Sequence, residues 1–197
     1  MRSAYYDWGI SRVRFIDNLV EGCFMVCYDR WHEAIVEINV LIDGEFEGCP
    51  EVSWLQGVAE QVFMAHGVSS NVELGLVIAT QERVQQLNRS YLGRDEPTDV
   101  LAFSMLPTGG APPFVAPPDG VLHLGEVVIS FPQAVIQAEE HGHSVKREIA
   151  ILIIHGMLHL LGYEDEKPEL KLQMVAREEE ILTILRGERV EGSWSCW

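Results

Sequence analysis

Apolar and polar positions fall into distinct periodic blocks along this chain of 197 residues. Val36-Glu-Ile-Asn-Val-Leu-Ile-Asp43 alternates, as a strand with one buried face does. Pro50 to His66 has helical apolar spacing, with Pro50 near its first turn, Gly67 as its stop and His66 as a cation at its C-terminus. Val72 to Ala79 is apolar and β-branched and reads as a second strand. Thr80 is an N-cap residue, and Gln81 to Tyr91 a helix behind it. Asp99 to Ser104 and His123 to Ser130 read as two further strands. Phe131 to His141 is a helix, and Ser144 caps the next one, which runs through the apolar stretch Ile149 to Ile154. Pro168 to Arg186 is the last helix, with Glu178-Glu179-Glu180 on a solvated face. The pattern predicts an α+β or α/β sandwich, with helices beside a four-stranded sheet.

The segments between and around these blocks read differently. Pro107 to Gly120 holds five prolines and three glycines and is a loop. Residues 1–35 are rich in Tyr and Trp and show neither a clean period nor turn chemistry. Two readings of them stand: upstream sequence read through before a natural start near Val36, or an extension that packs on the domain. Residues 36–186 form one domain, and Gly187 to Trp197 a frayed tail. No internal repeat is present.

Composition narrows the function. Hydrophobic residues make up 47% of the chain and charged ones 22%, which suits a packed core. The formal net charge is −16. That argues against gripping nucleic acid by bulk electrostatics, which wants clustered Lys and Arg; Arg83, Arg89, Arg94, Lys146 and Arg147 are scattered. Cys23, Cys27, Cys49 and Cys196 make no disulfide framework and no zinc-ligand spacing, so free thiols in a reducing cytoplasm are expected. No apolar run approaches the roughly 18 residues of a membrane span, and no signal-peptide core follows the N-terminal bases.

The chemistry concentrates in His155-Gly-Met-Leu-His159-Leu-Leu-Gly162-Tyr-Glu-Asp165. Two histidines four apart share one helix face, about 6 Å apart along the axis, so their imidazoles can address one centre. Gly162 suits the left-handed position that reverses the chain after a helix. The reversal can bring back a carboxylate from Glu164-Asp165-Glu166. Two imidazoles and one carboxylate, with one position open to water, is a catalytic zinc arrangement. The bland alternative is a pair of core histidines bonded to backbone, which leaves two imidazoles costly to bury in so apolar a helix. Position 156 is glycine, not the glutamate base of HExxH proteases; it can allow another backbone to pack close.

This run is similar to the signature H-G-x-L-H-L-x-G-Y-D-H of the YbeY family of single-strand-specific endoribonucleases, which act in ribosomal RNA maturation. Two more blocks agree in order and spacing. Leu87-Asn-Arg-Ser-Tyr91-Leu-Gly-Arg-Asp95-Glu-Pro97-Thr98-Asp99-Val100-Leu101-Ala-Phe103-Ser104 resembles N-x-x-Y-R-x-K-D-x-P-T-D-V-L-S-F. Leu124-Gly125-Glu126-Val-Val-Ile129-Ser130 resembles L-G-D-I-V-I-S. The resemblance covers roughly residues 36–186. It implies an α+β fold with a mixed sheet of roughly four strands and packed helices. It also implies one zinc ion per chain, held by His155, His159 and Asp165, where Asp165 stands at the family's third histidine. A second departure is Leu92, at the place of an arginine that handles RNA phosphate; either Arg94, two positions on, substitutes for it or that function is weakened.

The expected function is a zinc-dependent endoribonuclease in ribosomal RNA processing and ribosome maturation. Ribosomal RNA or ribosomal particles, with ribosomal proteins among them, are its expected partners, and the cytoplasm its place. The general base is left open: Glu164 or Glu166 acts, or the metal-bound hydroxide suffices. Two rivals stand: a zinc hydrolase of peptides or small molecules, and a non-catalytic ribosome-assembly factor with a structural metal. Of the other chemistry-bearing residues, His141-Gly-His143 reads as a solvated helix end rather than a metal pair. Asp95, Thr98 and Asp99 read as turn and strand-start residues, His123 as exposed, and Glu126 as an edge or cleft residue.

Overall fold

The computed structural model describes residues 5–8, 11–14, 36–68, 71–106 and 120–187. The chain divides into two units, Met1–Glu33 and Ala34–Trp197. In the first, strands β1 (Tyr5–Trp8) and β2 (Ser11–Arg14) pair antiparallel. The sequence reading found no strand there, because four-residue strands are too short to establish a period. The loop read at 107–120 falls, apart from Gly120, outside the described residues; so do Cys23, Cys27 and Cys196 and all of the tail beyond Gly187.

In the second unit, β3 (Val36–Asp43), β4 (Val72–Ala79), β5 (Val100–Ser104) and β6 (Leu122–Ser130) form one sheet in the order β3-β4-β6-β5. The first three in that order are parallel, and β5 closes the edge antiparallel to β6. The fold is α+β with a mixed four-stranded sheet, as expected. Helix α1 (Val52–His66) and α4 (Val145–Leu160) pack on the face carrying Leu74, Leu76, Ile78, Val127 and Ile129. Helix α2 (Gln81–Leu87) covers Val128 and Leu101 on the other face. Helix α3 (Phe131–His141) follows β6 directly, and α5 (Pro168–Gly187) contributes Met174 and Ile181 to the core.

Local signals set the helix ends where the sequence put them. Thr80, Ser130 and Ser144 each accept the backbone N–H three residues on, satisfying a donor that the first helical turn leaves open. Gly67 and Gly142 end α1 and α3 in the left-handed conformation. Three readings change. The segment read as one helix from Gln81 to Tyr91 is α-helical only to Leu87 and then widens into a π-helical turn over Asn88–Leu92. Side-chain periodicity cannot show this, since one extra residue per turn hardly disturbs the pattern. His66 is not the helix-end cation. Burial, with Arg177 nearby, pushes its pKa down, and the Arg177 guanidinium donates to the Ala65 carbonyl instead. Glu126 lies on an interior strand, its side chain over Gly75, where a Cβ would meet Glu126 Cγ at 2.6 Å.

Candidate metal centre and its cleft

Helix α4 is apolar almost all round because it is buried between the sheet and the other helices; Ile149, Ile153, Ile154, Met157 and Leu158 are fully enclosed. Gly156 lets it sit close. A Cβ there would lie 2.6 Å from Val127 Cγ1 and 3.3 Å from Val100 Cγ2, so side chains of the sheet, rather than backbone, demand the glycine. The approach brings the last two turns of α4 against edge strand β5. A cleft of about 290 Å³ opens there, lined by Leu92, Val100 to Phe103, His155, Gly156 and His159.

The two imidazoles converge. Their Nε2 atoms are 3.2 Å apart. Each ring's other nitrogen is engaged by an acceptor: His155 Nδ1 lies 2.7 Å from Glu178 Oε1, and His159 Nδ1 lies 3.1 Å from the Tyr163 carbonyl. These acceptors assign the proton of each neutral ring to Nδ1. Both Nε2 lone pairs then face one another, a repulsive arrangement that a shared cation relieves. With zinc–nitrogen bonds of 2.0–2.1 Å, a tetrahedral edge is about 3.3 Å, close to the observed separation.

Helix α4 ends at Leu160, and Gly162, with φ of 92°, turns the chain back. That turn returns Asp165. Ligand atoms of His155, His159 and Asp165 all lie within 4.8 Å of one another. The donor set and its spacing fit a zinc-class ion with an open fourth position. Neighbouring acids do not share this placement. Glu164 borders a separate hollow with Leu161, Gly162, Tyr163, Leu170 and Gln173, and Glu166 is exposed. Arg94 is exposed in the loop that leaves the π-helical turn, and its backbone N–H bonds the Asn88 carbonyl. Leu92 does line the cleft, so the described lining carries no Lys or Arg.

Glu178 was read as part of a solvated face. Its side chain is 15% exposed and turns inward to His155. The carboxylate's hydrogen bond raises the His155 pKa above its ordinary 6.5, against the effect of burial, and the charges of Glu178, Asp165 and Asp99 add to the rise. A signal for it existed: Glu178 falls between Met174 and Ile181, the two residues α5 buries. An acid on a buried stripe needs a partner. Asp99 plays the strand-start role expected of it. Its Oδ1 accepts from the Val100 N–H at 2.8 Å, and its Oδ2 accepts from Gln137 Nε2 at 2.9 Å. Asp95 accepts from Gln85 in the turn, Thr98 donates to Asp99, and His123 pairs with Glu73.

At the other end of α4, His143 is not solvated; its side chain is 14% exposed and its Nε2 lies 3.0 Å from Glu148 Oε2. His141, 58% exposed, also faces that oxygen, at 3.5 Å.

Fold and site together define a class: a small α+β domain that holds a two-histidine, one-carboxylate cluster in a cleft beside an edge strand. Comparison with known proteins makes the assignment specific. The family described as Endoribonuclease YbeY matches residues 50–186. A protein named Endoribonuclease YbeY from Dehalococcoides mccartyi is 47% identical over 134 residues, 66% of this chain and 78% of its own. One of the same name from Roseiflexus sp. is 44% identical over 160 residues, 81% of this chain and 98% of its own. The chain belongs to the YbeY family. A solution structure of TM1509 from Thermotoga maritima shares the fold, with a TM-score of 0.50 at 23% identity, covering 81% of this chain and 99% of that one. Among the described residues, no helix is long and apolar enough to cross a membrane.

Proposed function

We propose that this protein is a metal-dependent endoribonuclease that cuts single-stranded RNA, with ribosomal RNA in ribosomal particles as its cytoplasmic substrate. The observation that carries the proposal is the pair of Nε2 atoms 3.2 Å apart, each oriented from behind, in a cleft at the sheet edge. Membership of a family whose relatives are named endoribonucleases supports the reaction class.

His155, His159 and Asp165 would hold the ion. When bound, a zinc-class cation polarises a phosphoryl oxygen and activates water, the chemistry that cleaving an RNA phosphodiester requires. The rest falls to the chain. Glu178 accepts the Nδ1 proton of His155 and the Tyr163 carbonyl that of His159, so both rings are held in one tautomer and one orientation. Asp99 is occupied by three hydrogen bonds, from Thr98, Val100 and Gln137, and reaches the site through its charge. Of the three adjacent acids, only Asp165 brings a ligand atom to the two histidines, so Glu164 or Glu166 would act as a base from outside that cluster.

An acidic protein with no Lys or Arg among the described residues of its cleft lining needs another source of RNA affinity. Tyr91 is 70% exposed, and its ring meets Phe103 edge-on at 5.1 Å on the cleft rim. An unpaired nucleobase can stack on such a platform, at about 1–3 kcal/mol per base, whereas a base in a duplex cannot reach it. Single-strand preference follows, with an affinity less steep in salt than a basic protein's. His155 and His159 line an open cleft, and no fourth His, Cys, Asp or Glu among the described residues joins their cluster with Asp165. That supports a catalytic rather than a structural ion.

The test is cleavage of one RNA sequence as single strand and as duplex, beside a peptide panel, with chelator and after zinc is restored. Single-strand cleavage that chelator abolishes and zinc restores is expected. Peptide hydrolysis without RNA cleavage, or cleavage indifferent to chelator, overturns the proposal.

A further inference from the structure

The turn between α3 and α4 gathers a second cluster that the endoribonuclease reading does not use. We propose that His141, His143 and Glu148 form a separate zinc-class cation site that clamps the C-terminus of α3 to the N-terminus of α4.

The geometry carries the assignment. Ligand atoms of the three residues lie within 4.8 Å of one another. A single oxygen, Glu148 Oε2, faces both imidazoles, at 3.0 Å from His143 Nε2 and 3.5 Å from His141 Nδ1. Those separations bracket the tetrahedral edge of about 3.3 Å expected for nitrogen and oxygen ligands on zinc. His143 Nδ1 lies 3.3 Å from the Ser144 carbonyl, an acceptor that assigns the ring proton to Nδ1 and leaves Nε2 as a lone pair aimed at the carboxylate. Glu148 is 5% exposed, and its Oε2 is buried without a hydrogen bond of acceptable geometry. A carboxylate oxygen seldom stays buried without a partner, and here the groups around it are placed as ligands. Two nitrogens and one carboxylate oxygen suit zinc rather than calcium or magnesium, which favour all-oxygen shells. The half-exposed His141 leaves room for a water as fourth ligand.

The new site is not half of a two-metal catalytic pair. Glu148 and His155 are seven residues apart on α4, or roughly 10 Å of helix rise, whereas paired catalytic ions sit about 3.5–4 Å apart. Its ion would anchor the start of the helix whose end carries the cleft histidines.

Cobalt and zinc binding to the chelator-stripped full chain tests this. Wild type is expected to retain two equivalents after desalting and His141→Ala one. The His155→Ala/His159→Ala double variant should also retain one, lost on adding His143→Ala. The clamp predicts that this remaining ion raises the melting temperature of the double variant. His141 is largely exposed, so its replacement should leave the fold intact, as circular dichroism will check. If the cleft binds no ion, wild type still holds one equivalent, and His141→Ala removes it. The proposal is overturned if His141→Ala binds as many ions as wild type, or if the folded double variant binds none.

Discussion

The two histidine clusters of α4 offer the same donor set, two imidazoles and a carboxylate, in opposite surroundings. At the C-terminal end the histidines are neighbours on one helix face and the acid is the exposed partner, brought back by the turn at Gly162. At the N-terminal end the acid is buried in the helix, and the histidines come from the end of α3 and the turn after it. The first arrangement leaves its open side towards a cleft beside an edge strand, with each imidazole steadied from behind. The second points inward at a buried carboxylate. Donor chemistry alone therefore does not separate a reactive centre from an anchoring one. The side on which each cluster opens does.

The largest effect should come from the cleft histidines. His155→Ala and His159→Ala are each expected to abolish the cleft ion and to lower single-strand RNA cleavage by about a hundredfold or more, as loss of a Lewis acid worth several kcal/mol would. Elemental analysis and an RNA assay check this; full cleft occupancy in either variant removes the C-terminal side of the comparison. Next comes Glu178→Gln, which keeps the shape but weakens the hold on His155. A loss of about 10–100-fold in metal affinity is expected, as for other carboxylates behind a ligating histidine. Competition with a chromophoric chelator reads it, and an unchanged affinity would show that Glu178 does not orient the ligand.

A smaller effect, in the opposite direction, is expected at Asp165. Its anionic side chain reduces the residual positive charge of a zinc centre and repels an incoming phosphodiester. Asp165→His should keep the ion, move the pH–activity profile to lower pH and raise cleavage near neutral pH. A profile that stays put or moves upward refutes the charge argument. The smallest effect concerns the metal-free protein. The Glu178 hydrogen bond raises the His155 pKa above 6.5, so the folded state binds the proton more tightly than the unfolded chain does. That stabilisation is complete below pH 6.5 and is lost as pH rises through the raised value. With chelator present, Glu178→Gln should therefore lower the melting temperature most at acid pH, and the gap should narrow as pH rises through the raised value. A gap independent of pH would assign the role of Glu178 to packing alone.

Much of this was legible along the chain because it depends on neighbours in sequence. Period and caps placed α1, β4, α3 and α4 almost to the residue, since N-cap hydroxyls and left-handed glycines act over three or four positions. The spacing of His155 and His159 and the glycine after them announced a metal pair for the same reason. What stayed hidden depends on contacts across the fold. Glu178 reaches His155 from another helix, Leu92 lines the cleft from the end of a π-helical turn, and Glu164 borders a separate hollow although it is next to Asp165 in sequence. His141 and His143 looked solvated because their third partner is a carboxylate that α4 buries. Sequence alone determined most of the elements between Val36 and Gly187, the family and the HxxxH pair, all of which rest on local spacing. Only the tertiary structure decided which acids serve those histidines and which surface opens to substrate, because a carboxylate's role depends on where the packed chain aims it.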